Sequence, residues 1–329
     1  MEVVPYFLLL LELLGIAGRC VVSVLVYLLR LAVPGSRKSL RDKHVLVTGA
    51  GHGLGREIAL RCADLGAKLI LLDINKENND AVCEELRQLG CEAHAFQCDV
   101  TSEQQVEAVG DEVLKKVGHV DVLINNAGAI GSSKKMDFTE DGFEEIFQAN
   151  YLAPFLLTVL LVDLLKTSSP SRVINLASDY HRLGNVGNIE DKARGINLVS
   201  NPTAIYGNAK LALCMATVAL ADRLRGTGVT VNSVHPGAVK THIADEGPGL
   251  RKLLFGLVLF MKGKTPLQGA QTPVRLAVDP DLETTTGEYF ENCAPAEPAY
   301  RSPFLADHDL ADQVFRSSLK VLDFHWVGV

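Results

Sequence analysis

From His44 onward, short runs rich in Val, Ile and Leu alternate with stretches in which apolar residues recur every three or four positions. The runs are His44–Thr48, Lys68–Asp73, Glu92–Gln97, Asp121–Asn125, Arg172–Ser178, Val229–His235 and Glu288–Glu291. Most lack polar alternation, the pattern of strands covered on both faces. Between them, Leu54, Ile58, Cys62 and Leu65, then Val82, Leu86 and Leu89, are spaced as on one face of a helix. A longer helix is predicted from Thr203 to Arg225, and Val314, Phe315, Leu319 and Leu322 predict a packing helix near the end of the chain. Parallel strands need crossover connections, so this alternation implies an α/β fold, a doubly wound parallel sheet with helices on both faces. No linker-like stretch and no repeat divides residues 44–300, which predicts one domain there, followed by a C-terminal packing helix and tail over 301–329.

The first residues break the pattern. Val3 to Leu29 is almost wholly apolar, interrupted by Glu12 and Arg19, and Arg30, Arg37, Lys38, Arg41 and Lys43 follow. A continuous helix there would run about 40 Å, against a hydrocarbon core of about 30 Å. Residues 1–33 therefore read as a hydrophobic membrane anchor and 34–43 as a basic linker, with the domain behind them facing the cytosol. A cleaved signal peptide fits less well, because its apolar region is shorter and follows its basic residues. Charge separates the same way: residues 1–43 carry +3 and 249–264 carry +4, so the net charge of −7 leaves −14 on the remainder. That balance excludes a generally basic nucleic-acid binder. The seven cysteines are odd in number, with no CxxC pair and no metal-ligand spacing to histidine, so a reduced compartment and no metal site are expected.

Directly after the first strand comes Thr48-Gly49-Ala50-Gly51-His52-Gly53-Leu54-Gly55, leading into a helix. A glycine-rich turn in this context lets backbone N–H groups approach a pyrophosphate at the helix N-terminus, as in Rossmann-type folds. The spacing of Gly49, Gly53 and Gly55 is Gly-x-x-x-Gly-x-Gly. The second strand ends at Asp73, where an acid accepts hydrogen bonds from ribose hydroxyls and repels a 2′-phosphate, favouring NAD over NADP. Lys76 and a protonated His52 keep NADP as the alternative. Asp99 and Val100 follow the third strand, where Asp99 is placed to meet the adenine edge, and Asn126, Ala127 and Gly128 follow the fourth.

With Asn125-Asn126-Ala127-Gly128, Ser178, Tyr206-x-x-x-Lys210 and His235-Pro236-Gly237 in order behind the turn, the chain resembles the short-chain dehydrogenase/reductase family over about residues 40–300. That resemblance implies an active site of Asn150, Ser178, Tyr206 and Lys210. It also implies cofactor contacts at His52, Leu54, Pro236, Gly237, Val239 and Thr241, shared with Tyr206 and Lys210. The chemistry agrees: Tyr206 and Lys210 lie one helical turn apart, and an ammonium beside a phenol favours the phenolate, making tyrosine an acid/base nearer neutral pH. Ser178 would hydrogen-bond the reacting oxygen, and Asn150 would hold a water linking Lys210 to solvent. Singly, each has a plainer reading: surface decoration, a turn residue, a helix cap.

Ser178 and Tyr206 are 28 positions apart, and the intervening stretch is expected to loop over the substrate. Ala177-Ser178-Asp179-Tyr180-His181-Arg182-Leu183-Gly184, Gly228 to Thr241, Gly269-Ala270-Gln271-Thr272 and Gly287-Glu288-Tyr289-Phe290 look like the retinol dehydrogenase branch. Leu72-Asp73-Ile74-Asn75-Lys76 looks more like membrane and lipid-droplet hydroxysteroid dehydrogenases with an NAD preference. The resemblance implies an oxidoreductase on the endoplasmic reticulum membrane or lipid droplets, acting on a lipophilic alcohol, retinol first, with a hydroxysteroid or fatty alcohol as alternative. A homodimer through the helices beside the active site is a further implication, and a catalytically silent cofactor-binding scaffold is the competing class. Residues 249–264 place an apolar run between Arg251-Lys252 and Lys262/Lys264, read as a lid that also touches membrane. His181 is read as an exposed loop residue, with substrate contact as the alternative.

Overall fold

A computed structural model describes residues 38–130, 136–196, 201–239 and 263–326. Contacts divide the chain into Met1–Lys38 and Ser39–Val329, and the sheet, its helices and the candidate site all belong to the second unit. The expected anchor over 1–33 and most of the lid over 249–264 lie outside the described residues.

The strands are β1 (His44–Thr48), β2 (Lys68–Asp73), β3 (Ala93–Gln97), β4 (Val122–Asn125), β5 (Ser171–Leu176), β6 (Val229–His235), β7 (Tyr289–Glu291) and a short β8 (Ala294–Pro295). They form one sheet in the order β3-β2-β1-β4-β5-β6-β7-β8, parallel throughout except for antiparallel β8. The helices are α1 (Gly53–Asp64), α2 (Lys76–Gln88), α3 (Glu103–Lys116), α4 (Glu145–Thr167), α5 (Ile189–Ala193), α6 (Pro202–Arg223), α7 (Pro266–Val278) and α8 (His308–Val321).

Alternate side chains of each buried strand serve opposite faces. Val45, Val47, Leu69 and Leu71 join one apolar cluster under α1, α2 and α7, whereas Leu46, Ile70 and Leu72 join the other, under α3, α4, α6 and α8. Burial on both sides explains why these runs show no polar alternation. It also places α4 and α6. Both are long and apolar enough to cross a membrane, but 83% and 89% of their apolar windows are buried within this unit, so their greasiness is that of core helices. Part of the chain's high apolar content therefore belongs to the core.

The strand order reverses direction between β1 and β4, which opens a crevice at their carboxyl ends, the position where ligands bind in doubly wound sheets. The loops after β1, β2, β4, β5 and β6 all reach that edge.

Candidate active site

The turn after β1 needs its glycines for distinct reasons. Gly49 and Gly53 have φ of +65° and +56°, a left-handed conformation that costs other residues energy. A Cβ on Gly55 would stand 2.0 Å from the Gly49 carbonyl oxygen, and one on Gly51 would stand 3.0 Å from the Asp73 carboxyl. The turn delivers α1 with no acidic residue in its first turn and no side-chain cap from His52. Such an end leaves backbone N–H groups and the positive end of the helix dipole for an anion.

Asp73 is buried at the end of β2, its Oδ2 accepting the Gly51 N–H at 2.8 Å and its Oδ1 the Asn75 N–H at 2.9 Å. These bonds fix the carboxylate and leave each oxygen a second lone pair. Asp99 is partly engaged by its own loop: its Oδ1 accepts from the Thr101 N–H and hydroxyl at 2.9 and 2.7 Å. Val100 beside it packs on the core. Thr48, which motif spacing alone does not single out, positions the loops that border the site. Its hydroxyl accepts the N–H groups of Asn126 and Ala127, both at 2.9 Å, and its carbonyl accepts the Asn126 amide at 2.8 Å, stitching the β1 and β4 loops across the crevice. Gly237 after β6 has φ +89°, and Val239 pairs with Lys264. Thr241 lies outside the described residues.

Asn150 sits in a π-helical turn, Gln148–Leu152, within α4. Such bulges free carbonyls and re-aim side chains. The Asn150 amide donates to the Ile146 and Ala129 carbonyls at 2.8 and 2.6 Å, while its buried Oδ1 has no partner. A methyl placed on Gly128 would meet that Oδ1 at 2.5 Å and the Lys210 Nζ at 3.6 Å, so the two polar atoms converge on one spot beside Gly128. An unpaired buried acceptor next to an ammonium is the environment a relay water requires.

Tyr206 and Lys210 lie on α6 as expected, Lys210 being 4% exposed. Lys210 Nζ donates to the Leu176 carbonyl at 2.7 Å and lies 5.6 Å from the centre of the Tyr206 ring. The Ser178 hydroxyl interacts with the Tyr206 phenol, donates to Asp179 at 3.1 Å and accepts the Tyr180 N–H at 3.3 Å. The phenol pKa runs opposite to the lowering expected from sequence. Burial pushes Tyr206 up to about 12, hydrogen bonding with Ser178 pulls it down, and Asp179 and Tyr180 push it up. Burial likewise pushes Lys210 down to about 8. The cost of holding charge away from water outweighs the attraction expected from helical spacing. Tyr206 is thus held as the neutral phenol, the form that donates a proton.

His181 also differs from expectation. It is fully buried, its Nδ1 donating to the Ser178 carbonyl at 2.7 Å and its Nε2 accepting the Ser302 N–H at 3.0 Å, with the ring 4.4 Å from that of Tyr289. Burial pushes it down to about 4, so it stays neutral and positions Ser178 from behind. Beneath the site, the Asn125 amide donates to Asn175 at 2.8 Å and to Thr158 at 3.0 Å, and Asn175 donates to Thr217 at 2.9 Å. This ladder joins β4, β5, α4 and α6 through the core.

A glycine cradle, a buried acid at the end of β2 and a Ser, Tyr and Lys cluster near the unpartnered Asn150 Oδ1 fit one class: a nicotinamide-dependent alcohol dehydrogenase or carbonyl reductase. The short chain dehydrogenase family matches residues 43–193 and 194–248. Retinol dehydrogenase 14 of Mus musculus is 39% identical over 272 residues, covering 78% of this chain and 80% of that protein. Retinol dehydrogenase 13 of Homo sapiens is 34% identical over 322 residues, covering 96% and 95%. A solved 7 alpha-hydroxysteroid dehydrogenase complexed with NADH and 7-oxo glycochenodeoxycholic acid aligns with a TM-score of 0.62 at 27% identity, covering 78% of this chain and 96% of that one. The chain belongs to the short-chain dehydrogenase/reductase family, in its retinol dehydrogenase-like branch.

Proposed function

We propose that this enzyme interconverts a lipophilic alcohol and its carbonyl, retinol and retinal first, using NAD at the surface of the endoplasmic reticulum membrane or a lipid droplet. The observation that carries the reading is the convergence of Asn150 Oδ1 and Lys210 Nζ beside Gly128, with the Ser178 hydroxyl against the Tyr206 phenol. A nicotinamide cofactor, which the glycine turn after β1 and Asp73 would hold, would supply or accept the hydride. In reduction, Ser178 hydrogen-bonds the substrate oxygen as negative charge develops there, and the Tyr206 phenol gives that oxygen its proton. Lys210 supports the resulting phenolate, and a water held by Asn150 Oδ1 returns a proton from solvent. In oxidation the same groups act in reverse, with Tyr206 taking the hydroxyl proton.

Asp73 supports NAD: its two oxygens are fixed by the Gly51 and Asn75 N–H groups, and a 2′-phosphate beside them would meet a buried negative charge. The names of the related retinol dehydrogenases support the substrate class. The apolar run over Val3 to Leu29 supports membrane association. A hydroxysteroid remains the second reading, favoured by the bile-acid complex of the solved relative. The test is a panel of retinoids, steroids and fatty alcohols assayed with NAD and with NADP. We expect retinal or retinol to give the highest kcat/KM, with NAD preferred about tenfold or more, some 1.4 kcal/mol. A steroid leading the panel would replace the substrate assignment, and NADP leading by that margin would overturn the role given to Asp73.

A further inference from the structure

At the amino-terminal edge of the sheet, opposite the active site, His44 opens β1 and Asp121 precedes β4, while His119 lies on the loop leading to Asp121. Because β1 and β4 are parallel neighbours, residues far apart in sequence meet here. His44 Nδ1 and His119 Nε2 are 2.8 Å apart, and Asp121 Oδ2 lies 3.9 Å from the first and 3.6 Å from the second. In the plane of these three atoms the equidistant point is about 2.0 Å from each, a zinc–ligand bond length, so a tetrahedral zinc, which sits out of such a plane, needs His119 to shift slightly from its hydrogen-bonded place.

We propose that His44, His119 and Asp121 form a binding site for a divalent late transition metal, zinc first, that staples β1 to the loop before β4. Two imidazoles with one carboxylate suit zinc and disfavour magnesium or calcium, which take all-oxygen shells. His44 and Asp121 are buried and held, the Asp121 Oδ2 by the His44 N–H at 2.8 Å, so two ligands are preorganised. His119 is 43% exposed and its ring is held by His44 Nδ1, so metal binding would exchange that hydrogen bond for a metal–nitrogen bond on a ring that solvent reaches. Charge around the site is mixed: Lys43 pairs with the other Asp121 oxygen at 2.8 Å, and Lys68 pairs with Glu92 at 3.0 Å. The competing arrangement is a metal-free hydrogen bond between the two rings.

The test uses the full chain in mild detergent, stripped of metal and titrated with zinc against a chromophoric chelator, alongside melting curves and cobalt(II) spectra. We expect one high-affinity zinc per chain that raises the melting temperature, and a cobalt spectrum without an intense thiolate band. His119→Ala should weaken zinc binding about tenfold or more. Because His119 is half-exposed, that variant should keep the metal-free melting temperature of the parent. Equal zinc affinity in parent and variant, a thiolate-dominated cobalt spectrum, or no zinc retained against the chelator would overturn the proposal.

Discussion

His181 shows how a side chain's role depends on a partner its neighbours in sequence do not reveal. A histidine in a loop reads as exposed, but Ser302, which donates to it, is far along the chain and arrives only through the packing of the C-terminal segment. Glu144 is a similar case. Its side chain is 1% exposed and accepts the Phe147 N–H at 2.7 Å at the start of α4, and burial pushes it up to about 7 from an ordinary 4.5. Between those values the folded chain binds more protons than the unfolded one, so the stability associated with Glu144 is full at acid pH and is lost as pH rises through about 7. Glu144→Gln keeps an acceptor for Phe147 without the buried charge. Denaturant melts should show parent and variant alike near pH 4.5 and the variant more stable by about 1–3 kcal/mol near pH 8. A variant less stable at both pH values would contradict this account.

At the scale of elements, α8 covers the exposed sides of α4 and α6. Phe315 is 1% exposed, 5.3 Å from the Phe155 ring and 4.8 Å from that of Trp326, with the Arg223 guanidinium 3.9 Å above it. Tyr151 hydrogen-bonds Ser318, and Arg223 pairs with Asp312. Phe315→Ala should cost about 3–5 kcal/mol in a thermal or denaturant melt, and a loss under about 1 kcal/mol would mean that α8 is not part of the core. The apolar spacing of Val314, Phe315, Leu319 and Leu322 was enough to place this helix. Strand positions were legible to within a residue or two for a related reason, since double-sided burial leaves unbroken apolar runs. The π turn at Asn150 was not legible, because one extra residue in a helix leaves no mark in an otherwise apolar stretch. The direction of the phenol pKa is not legible either, because helical spacing reports proximity and says nothing of desolvation.

For the whole molecule, the sheet order gathers the glycine turn, Asp73, Asn126, Ser178 and the helices bearing Asn150, Tyr206 and Lys210 at the carboxyl edge. The same order gathers His44, His119 and Asp121 at the opposite edge, a cluster with no local spacing to betray it. The central claim is that Tyr206 transfers the proton that accompanies hydride transfer. Single-turnover reduction of retinal by preloaded NADH, comparing the parent with Tyr206→Phe, tests it most directly. We expect the rate to fall about 10²–10⁴-fold while NADH affinity and melting temperature stay near those of the parent. An undiminished rate in the variant, with cofactor bound, would contradict the account.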